Sequence, residues 1–309
     1  MQSHKPITNA HTHLELTGLA HLFATAPEKL ETWMGQVLKH RRQLTQTQIY
    51  AAVQQGIKEL KDAGTTHVGD ITATWLSVEP LIESGLKGIV YLEVRGLNRT
   101  QALEKFEAAK KYIHRIRRKR GSSSMQIGLS LHSPYTCHPD LLEKGAVFCA
   151  SENIPLCIHV AESPDEARLI RWARIRTAVN TPGIISKLAA VPKLFKTKFS
   201  PVSYLDSLGV LESTPLLVHC IHVKNDEIQR ITDSGSSVVH CPRSNERLSC
   251  GRMPLERFLS TRTSVYLGTD SRASSPSLDV REEADFAFEL HSRWVDSDKI
   301  EKMIHTQLL

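Results

Sequence analysis

Eight short apolar, β-branched runs, each followed by a longer stretch of helical period, set the tightest limit on what this chain can fold into. The runs are Ile7–His11, His67–Ile71, Gly88–Val94, Gln126–Leu131, Leu156–Val160, Leu216–His219, Ser237–Cys241 and Ser264–Gly268. Most are continuously apolar, the pattern of parallel strands covered on both faces. Between them lie stretches such as Ile49–Ala63 and Gln101–Ile116, with the spacing of amphipathic helices. Eight strand–helix repeats in 309 residues predict an α/β fold, a distorted (β/α)8 barrel forming a single domain over residues 1–309. Two connections are too long to be simple loops, residues 14–45 and residues 164–212, the second carrying Trp172, Phe195 and Phe199. Insertions of this length in a barrel are usually functional, and both are expected to be lid-like.

Polar residues fall where such a fold collects them. His11 and His13 sit two apart at the end of the first run, so that extended chain points both imidazoles one way. His159 ends the fifth run, His219 the sixth and His240 the seventh, while Asp270 follows the eighth. Active sites of these barrels lie at the C-terminal strand ends, where those side chains converge. Any one of these histidines alone reads as structural; the set does not. Imidazoles with a carboxylate suit Zn²⁺ or Fe²⁺ and leave a position for water. The metal lowers the pKa of that water and makes hydroxide available as a nucleophile.

Glu162, three residues past His159, is placed to take the proton from the water and pass it on. His219 opens HCIH and can hydrogen-bond the hydroxide together with Asp270, whereas His222 is read as facing the next helix. His132, at the end of the fourth run, sits where it would meet substrate instead of metal. His132, Glu93 and Arg95 are the polar candidates to hold a substrate, although Glu93 and Arg95 equally suit an internal ion pair. Glu15 and Trp33 are candidates to line the pocket from the lid side. The fourth run, MQIGLSLHSP, contains no lysine to bridge a second metal, so one metal is expected.

Composition narrows the partners. The net charge of +6, from 39 Lys and Arg against 33 Asp and Glu, is no nucleic-acid footprint. The basic run Arg115–Arg120 reads as a solvated helix end, and the PCxxC signature of zinc nucleic-acid deaminases is missing. No window approaches the twenty or so apolar residues of a membrane span, and the first residues lack the apolar core of a signal peptide. Six scattered cysteines without a CxxC pair fit a reducing cytoplasm. The expected partner is a small molecule, with no nucleic acid and no membrane, and a homodimer is the candidate assembly.

Taken in order, NAHTHLE, LHSPYT, HVAES, VHCIHV, VVHCPRSN and LGTDSRAS resemble the amidohydrolase superfamily from Asn9 to about Glu283. The branch it resembles holds cytosine and guanine deaminases, S-adenosylhomocysteine deaminases and chlorotriazine hydrolases. HLEL with a Trp-containing helix, and CGRMPL followed by SSPSLDVREE, are most similar to its aminodeoxyfutalosine deaminases. The resemblance implies that His11, His13, His159 and Asp270 hold one divalent metal, Zn²⁺ ahead of Fe²⁺. It implies that Glu162 is the proton shuttle, that His219 orients the water and that His132 touches substrate. His240, Ser244 and Asn245 match the segment that shapes the pocket. The implied reaction is removal of an exocyclic amine from a nitrogen heterocycle of the purine or pyrimidine type, in particular an adenine nucleoside. Two alternatives stay open: dechlorination or cyclic-amide opening at the same site, and a non-catalytic barrel. The chain departs from the resemblance in two places. The usual flanking β-sandwich is expected to be largely or wholly missing, and the basic stretch Arg168–Lys198 matches no substrate contact.

Overall fold

The computed structural model describes residues 5–24, 29–119, 124–179 and 200–308, giving backbone alone for 175–179. The expected basic stretch and the second insertion therefore lie partly outside the described residues, as do Arg120, Phe195 and Phe199. Each apolar run becomes a strand, its bounds within one residue of expectation: β1 (Thr8–Thr12), β2 (His67–Thr72), β3 (Lys87–Val94), β4 (Met125–Leu131), β5 (Leu156–Val160), β6 (Leu216–His219), β7 (Ser237–His240) and β8 (Val265–Leu267). All pair in parallel in sequence order. The ring is completed by a parallel bridge between Thr12 and Asp270 and by the Asp270 amide donating to the His11 carbonyl at 3.0 Å. This is a (β/α)8 barrel.

Among the described residues the α-helices are α1 (Leu30–Arg41), α2 (Gln46–Asp62), α3 (Val78–Glu83), α4 (Arg99–Lys119), α5 (Pro139–Glu152), α6 (Glu166–Val179), α7 (Pro201–Ser207), α8 (Asn225–Ser234), α9 (Pro242–Arg247), α10 (Leu255–Phe258), α11 (Val280–His291) and α12 (Ser297–His305). Local chemistry sets their ends. Thr45 and Gln48 form a reciprocal capping box at the start of α2, satisfying two amides that the helix leaves free. Pro139 occupies the first turn of α5, and Asn153 ends that helix in the left-handed conformation.

The barrel has two apolar layers, which is why its strands read as continuous apolar runs. Ala10, Ile71, Ile89, Tyr91, Cys157, Leu216, Val218, Val239, Cys241 and Tyr266 fill the interior. Their neighbours, among them Val68, Val90, Leu92, Leu129, Ile158, Leu217, Val238 and Leu267, belong to the larger cluster that joins the strands to the surrounding helices. Side chains alternate across a strand. Continuing the inward positions past Tyr91 and Cys157 leads to Glu93 and His159 at the C-terminal mouth. A short 3₁₀ segment, Leu14–Ala24, leaves β1 over that mouth and leads into α1.

Candidate metal centre and active site

His11, His13 and Asp270 come together from the first and last strand ends, and His11, His159 and His219 from three strands. Within each trio the possible ligand atoms lie within 4.8 Å of one another. The Asp270 Oδ1 atom stands 3.5 Å from His11 Nε2 and 3.6 Å from His13 Nε2. These separations exceed an ordinary N–H···O hydrogen bond, and buried His11 Nε2 has no hydrogen-bond partner. They match the edge of a tetrahedron around an ion with ligand bonds of about 2.1 Å, which is about 3.4 Å. A buried nitrogen without a partner is costly in a protein alone, and a cation satisfies it.

Burial shifts His11, His13 and His159 toward the neutral form, the one that binds metal. Burial, reinforced by His11, pushes His13 down to about 3. Burial likewise lowers His11, and it lowers His159 well below the usual range with help from His11, His132 and His13. Burial alone would raise Asp270, but the surrounding imidazoles, His11 foremost, hold it well below the ordinary carboxylate range. His159 Nδ1 donates to the His132 carbonyl at 2.8 Å, which turns the lone pair of Nε2 toward the cluster. Asp270 Oδ2 accepts from Ser244 Oγ at 2.7 Å, leaving Oδ1 for the histidine side.

Backbone strain contributes to this convergence. Ala161, His219, Cys220 and Asp270 follow or end β5, β6 and β8 with φ of 54°, 76°, 45° and 59°. Each such left-handed residue costs roughly 1–3 kcal/mol and is found where the surroundings impose it. At β6 the effect is explicit: Leu216 and Val218 point inward, so regular alternation would send His219 outward. The left-handed turn brings it back into the mouth, 3.4 Å from Glu162 Oε1. At β1 the pairing register with β2 shifts between Asn9 and Thr12, a bulge of the kind that re-aims side chains. Gly268 is required beside it, since a Cβ there would lie 2.7 Å from His11 Cβ and 2.8 Å from His11 N. Asp70 fastens the same segment: Oδ1 accepts from Thr12 Oγ1 at 3.0 Å and the Leu14 amide at 2.9 Å, and Oδ2 from Ser77 Oγ at 2.6 Å. Burial pushes Asp70 up to about 7.

A cavity opens over the centre. His13, His132, His159, Glu162, His219 and Asp270 form its floor, and Glu93, Arg95 and Arg41 one wall. The 3₁₀ segment and α1 close it with Leu16, Leu30, Trp33, Met34, Val37 and Leu38, and Tyr135 joins them. Trp33, from the first long connection, is among these lining residues, and its indole donates to the Ala273 carbonyl at 3.0 Å. Glu162 is buried and raised above the usual glutamate range, by burial first and against the pull of His219. Glu93 and Arg95 face each other at 3.5 Å, the internal pair foreseen in the sequence, and both remain on the wall. Burial would raise Glu93, but His132 and Arg95 hold it low.

Four expected pocket residues sit elsewhere. Glu15 turns its carboxylate to Arg41 at 2.7 Å and to the amide and hydroxyl of Thr74, so it steadies the wall without lining the cavity. Ser244 holds Asp270, and Asn245 Oδ1 holds His219 Nδ1 at 2.9 Å. His240 lies between inward-facing Val239 and Cys241 and so points outward, its Nε2 3.2 Å from Nε2 of His291 on α11. His222 faces the Cys250 carbonyl at 2.7 Å. The sequence reading missed Arg41 and Tyr135. The signal for Arg41 was the stripe Leu30, Met34, Val37, Leu38, Arg41 on one side of α1; Tyr135, in a turn, had none.

A (β/α)8 barrel with histidines and an aspartate meeting at its C-terminal mouth defines a class of metal-centred barrel proteins. Residues 7–303 match the amidohydrolase family, and the chain belongs to it. An aminodeoxyfutalosine deaminase of Deinococcus radiodurans is 36% identical over 93% of this chain and 68% of its own length. A 5′-deoxyadenosine deaminase of Methanococcus vannielii is 28% identical over 92% of this chain. An adenosine deaminase from Xanthomonas campestris with bound zinc shares the fold, with a TM-score of 0.78 and 21% identity over 97% of this chain. The chain spans 62% and 65% of the length of these last two proteins.

Proposed function

We propose that this protein hydrolytically removes the exocyclic amine of a nitrogen heterocycle, an adenine-type nucleoside, with one divalent cation held by His11, His13, His159 and Asp270. The observation that carries the reading is a division of labour. Beside the metal-type donor set stands a buried carboxyl, Glu162, outside that set and 3.4 Å from His219. The nitrogen-rich donors favour Zn²⁺. A cation bound there supplies Lewis acidity and lowers the pKa of a water ligand.

The chain's own residues do the rest. His219 gives its Nδ1 proton to Asn245 Oδ1, so Nε2 presents a lone pair to a hydrogen of the attacking water and fixes its orientation. Glu162 receives the first proton the water loses and delivers it to the ring nitrogen next to the reacting carbon, and the second, lost from the hydroxyl of the adduct, passes through it to the departing amine. Water adds, the C–N bond breaks, and the products are the ring carbonyl and ammonia. Glu93, Arg95 and His132 supply polar contacts on the wall, and the apolar face of α1 excludes water. The names of the relatives, deaminases of adenine nucleosides, support the substrate class.

The same reading keeps the lid role of residues 14–45 and 164–212, the cytoplasmic setting and the homodimer as proposals. No described helix is long and apolar enough to cross a membrane, and the six cysteines are free and buried. The test is metal analysis of purified protein joined to an ammonia-release screen over adenosine, 5′-deoxyadenosine and aminodeoxyfutalosine, then other purines, pterins and pyrimidines. One equivalent of zinc with ammonia from an adenine nucleoside is expected. A protein that holds zinc and releases ammonia from none of these compounds overturns the reading.

A further inference from the structure

Glu162 follows a residue in a costly conformation. Ala161, with φ of 54°, carries the chain from the end of β5 back toward the barrel axis, so something must hold that turn. Its carbonyl accepts from the amides of Ile221 and His222, each at 2.9 Å. The amide that follows it is held by a side chain: the Glu162 N–H donates to Glu166 Oε2 at 2.9 Å. Glu166 is the first residue of α6 and is 1% exposed. No basic group pairs with it among the described residues, and the charged groups acting on it are acids, Glu162 and Glu227.

A carboxyl buried without a cation is expensive. Burial pushes Glu166 up to about 8, so at neutral pH it is mostly uncharged and its acceptor oxygen remains. Its other oxygen, Oε1, is buried without a partner. Nothing in ion pairing or apolar packing explains a glutamate here; the Glu162 amide does.

We propose that Glu166 is a positioning residue for the deamination reading: its carboxyl, through the backbone amide of Glu162, sets the Glu162 side chain against His219. It touches neither substrate nor the metal ligands. A displacement of about 1 Å in a reacting group is enough to cost on the order of a hundredfold in rate. Because the role needs an acceptor oxygen and no charge, glutamine should serve.

The experiment compares zinc-bound wild type, Glu166→Ala and Glu166→Gln by amide hydrogen exchange at residue 162, by kcat and KM for ammonia release, and by zinc content. Glu166→Ala is expected to exchange the Glu162 amide about tenfold faster or more. Its kcat is expected to fall roughly 10- to 100-fold with KM within about threefold and zinc unchanged. Glu166→Gln should restore both readouts to within about threefold of wild type. If Glu166→Ala does not fold, Glu166→Asp replaces it, since it withdraws the oxygens by one methylene. Wild-type exchange and kcat in the Ala or Asp variant, or a Gln variant as impaired as they are, overturns the proposal. Absence of ammonia from wild type would fall on the deaminase reading alone, because the exchange rates still judge Glu166.

Discussion

Replacing Glu162 by Gln separates the proton shuttle from the metal centre. The substitution keeps shape and volume, removes the titrating group and leaves His11, His13, His159 and Asp270 untouched. A positioned general acid–base contributes roughly 10²–10⁴ in rate, about 2.7–5.5 kcal/mol of barrier. The surroundings put this case in the upper half of that span, because no second carboxyl can take over. Asp270 is engaged with Ser244 and the histidines, Glu93 faces Arg95 at 3.5 Å, and Glu15 is bound to Arg41. A fall in kcat of about a thousandfold or more is therefore expected, with KM little changed. Steady-state ammonia release on protein of known zinc content measures it. Zinc at one equivalent and full kcat in Glu162→Gln would refute the shuttle, and loss of zinc would place Glu162 among the ligands.

Three further outcomes follow from the same geometry. Zinc at about a hundred times its dissociation constant should stabilise the chelator-treated protein by about 2.7 kcal/mol, seen as a rise in melting temperature, and His13→Ala should abolish the rise. Gly268→Ala should lower zinc affinity in a direct titration, because its Cβ must displace the backbone and Cβ of His11; unchanged affinity would show that β8 yields. Asp70→Asn should become more stable relative to wild type as pH rises. Burial lifts Asp70 to about 7, so the folded protein keeps a proton that the unfolded chain gives up near pH 4. Wild type holds that stability below pH 4 and loses it as pH climbs through 7, up to a ceiling of about 4 kcal/mol. Asn does not titrate, and its amide can donate to Ser77 Oγ. Melting curves at pH 4, 6 and 8 check this; a constant gap between the two proteins would refute it.

The barrel was legible in the sequence because both faces of each strand are apolar, and the metal centre because its histidines stand at strand ends. Alternation also carried more than was drawn from it. Val239 and Cys241 face inward, so His240 between them had to face out, toward His291. The same rule would have sent His219 outward, and there it fails. No residue type announces the left-handed φ of His219, Cys220 or Asp270, since that strain is imposed by the folded surroundings. Glu166 was hidden for a related reason: a glutamate opening a helix ordinarily reads as a favourable charge at its N-terminus. Its reach back to the Glu162 amide depends on the turn at Ala161.

The bond between the Asp270 amide and the His11 carbonyl joins residues from the first and last strands. On the ribosome, at about 5–20 residues per second, His11 is made roughly 15–50 s before Asp270. Through that interval the paired imidazoles of the first strand lack the Asp270 carboxylate. With the cation held as proposed, the complete donor set is assembled only as the eighth strand closes the ring, so zinc retention would report that closure.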